Sequence, residues 1–282
     1  MFLVKEKMKI YLILIISLLS FFCNGQEIKA RPKTIELAET GLVKKRGSTI
    51  RDRFIPPAGY ERIRVKENSF GSYLRNLKLK SFESPVLYYD GTSKPGADIY
   101  ISVVAMDIDS LDLQQCADAV MRLRAEYLYG LEKFPSIHFN FLSDGNPRFY
   151  LNYAKGNFSY KKFRKYMRYI FSYANTSSLY DELDPVSDIK KIKIGDIFIQ
   201  KGSPFGHAVI VVDMAKNKFN GKKVYLLAQS YMPAQETQIL INPMDALISP
   251  WYGLKEKNVQ TPEWTFKPGD LRRFEDIISE KR

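Results

Sequence analysis

Two cysteines and two histidines in 282 residues leave little material for a disulfide framework or a zinc cluster. Beyond the first 25 residues no apolar run approaches the roughly 20 residues that a membrane-spanning helix needs. There is no internal repeat, no low-complexity segment and no recognisable nucleic-acid-binding module, although the net charge is +12. The basic residues are scattered except at Lys161-Lys162-Phe163-Arg164-Lys165, which reads as the solvated face of a helix. A metal enzyme, a disulfide-stapled secreted module and a nucleic-acid binder are therefore poor descriptions of this chain. No cofactor is expected.

The chain opens with Lys5, Lys7 and Lys9 ahead of an apolar stretch, Ile10 to Phe22, the layout of a secretory signal peptide. Cys23-Asn24-Gly25 places small residues where cleavage needs them, so residues 1–25 are expected to be removed and Gln26 to start the mature chain. Cys23 also allows a lipoprotein reading, in which that cysteine is lipidated. Both lead to an exported protein, periplasmic or extracellular, with no transmembrane span after processing. Loss of three lysines and one glutamate with the signal leaves +10, suited to an anionic envelope surface.

Composition is that of a globular chain, 45% hydrophobic and 13% aromatic, able to bury a sizeable core. Residues 26–53 are polar and aperiodic and read as a lead-in or tether. Phe54-Ile55-Pro56-Pro57-Ala58-Gly59-Tyr60 marks the entrance to one domain, 54–282. Ser69–Leu77 reads as a short helix, Pro85–Tyr89 and Ile99–Met106 as strands, Phe149–Tyr173 as inserted helix and 272–282 as a charged helix.

Two segments carry chemistry. Ser110-Leu111-Asp112 offers capping oxygens before an amphipathic helix, Leu113 to about Leu131, with Cys116 in or near its first turn. Free amides and the positive end of the helix dipole favour a thiolate there, so the thiol is expected to titrate below its ordinary range. The second segment is Gly195-Asp196-Ile197-Phe198, a Gly- and Pro-containing turn, then His207 at the mouth of the apolar strand Ala208–Val212. The next strand, Lys223–Ala228, ends at Gln229, which a regular hairpin would bring back beside His207. His138 sits in an alternating strand and is the weaker base. Arg124 and Tyr127 lie farther along the Cys116 helix as candidate cleft residues, while Trp251 and Tyr252 read as core.

The order of cysteine at a helix start, GDIF, GH with an apolar strand, then a polar residue on the next strand resembles the NlpC-type branch of the papain-like superfamily. The resemblance covers about Leu113 to Tyr231. It implies an α+β fold with a catalytic helix packed on an antiparallel sheet and a helical insertion. It implies a catalytic set of Cys116, His207 and Gln229, and acyl transfer through a thioester, with peptides of the bacterial cell wall as substrate. The chain departs from the branch at Gln115, where aspartate is usual, and at Gln229, where histidine is common. RFIPPAGYERI, FGSYLRNLKLK, SPVLYYDG, QCADAVMRLRAEYLY and AQSYMPAQE are similar to a family of exported bacterial proteins known as a domain of unknown function. Transfer or deacylation of a lipid or small molecule, and a non-catalytic envelope-binding role on the same scaffold, stay open as alternatives.

Overall fold

The computed structural model describes residues 41–275 with the exception of Ala97. The expected signal peptide, Cys23 and the first part of the lead-in lie outside the described residues, as does the chain after 275. In chain order the helices are α1 (Ile50–Arg53), α2 (Phe70–Arg75), α3 (Cys116–Gly130), α4 (Tyr150–Ala154), α5 (Tyr160–Tyr173) and α6 (Thr176–Glu182). The strands are β1 (Tyr60–Arg62), β2 (Tyr100–Val103), β3 (His138–Asn140), β4 (Pro147–Phe149), β5 (Asp184–Pro185), β6 (Ile197–Gln200), β7 (His207–Asn217), β8 (Lys223–Gln229), β9 (Gln238–Leu240), β10 (Tyr252–Gly253), β11 (Val259–Gln260), β12 (Thr265–Phe266) and β13 (Leu271–Arg273). The main sheet runs β2-β9-β8-β7-β6-β13-β5, with β1 added to β7 and β10 to β8. Every pairing in it is antiparallel. The chain is thus mixed α and β, built on a large antiparallel sheet.

Strand β7 is buried from His207 to Ala215 because both faces of the sheet are covered. Ala208, Ile210 and Val212 pack into the cluster formed with α3 and α5, while Val209 and Val211 pack with Phe198, Tyr225 and Phe266 on the other side. Burial of each valine or isoleucine contributes roughly 1.5–3 kcal/mol, so the uninterrupted apolar run is what the position requires. The alternation then reverses. Met214 belongs to the second cluster and Ala215 to the first, because a register shift between Val211 and Asp213 inserts a bulge into the β7–β8 pairing. Asp213 sits at that bulge, fully buried, accepting from Arg62 Nε and Arg75 Nε at 2.7 Å each and from the Met214 amide at 2.8 Å. The hairpin closes where Asn217 Oδ1 accepts from the amides of Phe219 and Asn220.

The helical layer follows its sequence period. On α5, Phe163, Tyr166, Met167 and Ile170 are buried and Lys161 and Lys165 are exposed, so the basic run is a solvated face. The stretch from Phe149 is two helices, not one. Lys155 and Gly156 adopt left-handed φ values of 50° and 81°, which end α4 before Ser159 caps α5. Trp251 is fully buried and donates from Nε1 to the Ile55 carbonyl at 2.8 Å, closing the core as expected.

Several expectations are corrected. Residues 41–53 are no tether: Leu42 and Val43 are buried, Val43 bridges Phe54, and Ile50 is inaccessible in the core. Pro85–Tyr89 forms only isolated bridges, Leu87 with Ser93 and Tyr88 with Gln235. The Cys116 helix starts later than Leu113, because the Asp118 carboxylate, not an oxygen of Ser110 or Asp112, accepts the Gln115 amide at 3.1 Å. Leu271–Arg273 is a strand paired with β6 and β5, where a charged helix was expected from 272.

The bulge at Asp213 yields a stability prediction. Asp213→Ala strands two guanidinium groups in or near the core and should cost about 3 kcal/mol in urea unfolding. Asp181→Ala, which removes only the exposed pair with Lys201, should cost under about 1 kcal/mol. Equal costs would mean that the buried network is not a keystone of the sheet.

Candidate functional site

Gly206 leads the chain from the turn after β6 into β7. A Cβ there would lie 2.2 Å from the Gln200 carbonyl oxygen and 2.9 Å from Thr176 Cγ2, so only glycine lets the turn close against β6 and α6. His207 follows, paired with Gln200 and wholly buried. Alternation sends Ala208 toward the helical layer and His207 toward the other, where its ring meets Tyr231 at 4.8 Å, Trp264 at 5.3 Å and Phe266 at 5.9 Å between centroids. The Ile210–Ala228 register brings the end of β8 back to the start of β7. His207 Nε2 and Gln229 Oε1 are 3.0 Å apart, as the hairpin argument expected.

The next contacts determine the protonation of the ring. Gln229 donates from Nε2 to Glu263 Oε2, and both oxygens of Glu263 accept from Lys94 Nζ, at 2.8 and 2.9 Å. A salt-bridged carboxylate only accepts, so the Gln229 NH2 must face it and the Gln229 oxygen must face the histidine. His207 Nε2 therefore carries the hydrogen. Its Nδ1 is left with a bare lone pair, and that atom is buried without a hydrogen-bond partner. A buried polar atom with nothing to bond is costly. Burial also pushes the ring down to about 4, with Lys94 adding and Gln229 opposing, so His207 is neutral at physiological pH.

Cys116 is the first residue of α3 and 3% exposed. Its sulfur has the amides of Ala208 and Ala117 as donors and Thr176 Oγ1 at 3.9 Å. The Ala208 amide belongs to the residue after His207, which brings the thiol to the mouth of β7 from the helical side. No hydrogen bond joins Cys116 to Nδ1. Nor is the thiol lowered, as the helix start implied: burial pushes it up, reinforced by Asp118 and opposed by the two amides and Thr176. Desolvation outweighs the helix end, and the resting pair is a neutral thiol and a neutral imidazole.

A cleft of about 590 Å³ opens beside the sulfur, walled by Asp112 and Asp118, by Thr176 at the start of α6, by Phe205 and by Met232. No basic residue lines it. The α4–α5 region does not line it either; the wall is the residue run that follows α5. Asp112 Oδ1 accepts from Gln115 Nε2 at 3.1 Å and from the Ala234 amide at 2.7 Å, fastening the helix start to the loop after β8. Ser230 adds a bond to the Gln114 carbonyl at 3.3 Å.

Residues 50–273 match the family model described as Domain of unknown function (4846). The chain belongs to the DUF4846 family. No curated protein and no solved structure matches it. The DUF4846 match starts at α1, in agreement with the packing of the residues before Phe54 into the core.

Within this DUF4846 domain the structure unites His207 and Gln229 by a hydrogen bond and sets Cys116 against the neighbouring amide. His138 is elsewhere, its ring tilted against Phe149 at 4.8 Å between centroids, in a separate cavity with Glu182. Arg124 and Tyr127 do not line the Cys116 cleft; the Tyr127 hydroxyl donates to the Asn68 carbonyl at 2.9 Å. Sequence reasoning missed Lys94, Glu263, Trp264, Thr176 and Asp118. Only Asp118 left a local signal, an acid two residues past the cysteine where a helix start wants one.

Asp118 is buried with one oxygen unpartnered, and desolvation pushes it up to about 8 from an ordinary 3.8. Folding therefore takes up a proton between those values. The stability this group contributes is full below about pH 4 and is lost as pH rises through 8. Asp118→Asn keeps an acceptor for the Gln115 amide and cannot ionise. Relative to the native protein it should gain roughly 3–4 kcal/mol between pH 5 and pH 8 in urea unfolding. A pH-independent difference would show that Asp118 is ionised in the folded chain.

Proposed function

We propose that this chain is an exported cysteine hydrolase that cleaves an amide bond through a thioester on Cys116, with cell-wall peptides as its substrate class. The observation that carries the reading is the bare, buried Nδ1 of His207 at a strand mouth, next to Ala208, whose amide is among the groups that oppose the rise of the Cys116 thiol. The reading takes the helix and the antiparallel sheet as a papain-like arrangement that carries this pair. In the forward step, which requires the imidazole and the sulfur to meet around the open end of β7, Nδ1 takes the thiol proton as the sulfur attacks the substrate carbonyl carbon. The amide N–H groups at the start of α3 and at Ala208 are the donors nearest to the developing oxyanion. Nδ1 then gives its proton to the leaving amine. Water, deprotonated by the same nitrogen, hydrolyses the thioester and releases the acid. Gln229 keeps Nε2 protonated throughout, and Glu263 with Lys94 keeps Gln229 from turning over.

A neutral resting pair suits this sequence of events, because the imidazole is unprotonated when the proton must be removed. Substrate access to a 3% exposed sulfur is through the cleft, where Asp112 and the lack of cations favour a neutral or amine-bearing peptide over an anionic acyl group. Export rests on the amino-terminal charge and apolar pattern.

A second reading has one observation in its favour: the thiol is buried and raised, as a structural cysteine in a non-catalytic envelope-binding protein would be. Purified protein incubated with defined wall peptides separates the two. The hydrolase reading expects amide cleavage that Cys116→Ala abolishes and that Glu263→Gln, which frees the Gln229 amide to invert, lowers by about 10- to 100-fold with the fold intact. Cleavage that survives Cys116→Ala would overturn it. Absence of turnover, together with slow thiol alkylation that His207→Ala leaves unchanged, would establish the binding-protein reading instead.

A further inference from the structure

A second concavity, larger than the cleft at Cys116, lies elsewhere in the domain. It is a groove of about 760 Å³ near the far end of β7, where Met214 and Lys216 contribute to its wall. Seven to nine residues of strand separate these from His207, about 23–30 Å at roughly 3.3 Å per residue. The groove and the cysteine cleft share no lining residue.

Its construction is visible in two extended segments. Ile63-Arg64-Val65-Lys66 and Lys191-Ile192-Lys193-Ile194 each alternate apolar and basic residues. The apolar members are buried or half-buried and the basic ones exposed. Ile63, Val65, Ile194 and, from α2, Phe70 therefore make an apolar floor, with cations around it. Eight basic residues line the groove against one acid, Asp196. That acid is already committed, accepting from Arg273 at 2.6 and 2.8 Å. Arg64, Lys66 and Lys216 make no ion pair with a carboxylate among the described residues, and the carboxylate that acts on Lys193 is Asp196, already held by Arg273.

A groove of this size is in the range of small-ligand sites, and an apolar floor rimmed by unneutralised cations is complementary to a molecule with an apolar tail and an anionic head. A soluble anion would satisfy the rim and leave the floor wet. An uncharged apolar ligand would fill the floor and leave the cations in place.

We propose that this groove binds an anionic phospholipid, with the phosphodiester among Lys66, Lys193 and Lys216 and the first part of an acyl chain on Ile63, Val65, Phe70 and Ile194. The site is independent of the chemistry at Cys116. It would hold the domain against an anionic leaflet while the cysteine cleft, at the opposite end of β7, stays clear of the lipid.

Calorimetric titration of the full chain with dihexanoylphosphatidylglycerol, kept monomeric, tests the proposal. Binding should be at least about tenfold tighter than to dihexanoylphosphatidylcholine and than to glycerol 3-phosphate. The Lys66→Glu, Lys216→Glu double variant should lose at least about tenfold in affinity. A second double variant, Lys161→Glu with Lys165→Glu, makes the same change of charge on the exposed face of α5 and should bind as the native chain does. Cys116→Ala should also bind normally, which separates this site from the hydrolase reading. Equal affinity for glycerol 3-phosphate, equal loss in the α5 variant, or no binding of the phosphatidylglycerol would each overturn the proposal.

Discussion

Strand β7 must be covered on both faces, and most of the architecture answers that requirement. Its first nine residues are buried, which demands a layer of helices on one side and a second apolar layer, containing Phe198, Tyr225 and Phe266, on the other. Polar groups on such a strand need dedicated partners. At its start His207 receives Gln229, and near its far end Asp213 receives Arg62 and Arg75. The bulge between them lets one strand serve two clusters of opposite parity, so that the same element carries a titratable ring at one end and a charged anchor at the other.

The chain Lys94, Glu263, Gln229, His207 turns a packing arrangement into a chemical one. Each member constrains the next: the lysine fixes the carboxylate as acceptor, the carboxylate orients the amide, and the amide chooses which ring nitrogen carries hydrogen. Aromatic cover from Tyr231, Trp264 and Phe266 removes water and holds the ring neutral. The same dryness raises the Cys116 thiol, so both the imidazole and the thiol rest uncharged. The helix end beneath Cys116 is too weak to reverse this, being worth at most about 2 kcal/mol in partly buried settings.

Much of this was legible locally. The apolar run from Ala208 to Val212, the turn ahead of His207 and the return to Gln229 follow from short-range pattern, and the β7–β8 pairing bears them out. The α5 face followed from its period. What escaped was set by distance or by competition. Lys94 and Glu263 reach Gln229 from segments 135 and 34 residues away in the chain, and nothing in their own surroundings announces it. Residues 41–53 looked polar, yet a few apolar residues among them, Leu42, Val43 and Ile50, decide their packing. The thiol titration was misjudged because the helix start is a sequence feature, whereas desolvation is a property of the folded layers.

The central claim is that His207 is a neutral base whose Nδ1 is bare and whose Nε2 is held protonated. Nitrogen-15 spectra of the histidine side chains test it most directly, since the chain has two histidines and His138→Gln assigns the remaining one. The account predicts that Nε2 carries the hydrogen, that Nδ1 shows the shift of an unprotonated nitrogen, and that the ring stays neutral as pH falls until about 4. Hydrogen on Nδ1, or titration of the ring at an ordinary value near 6.5, would contradict it.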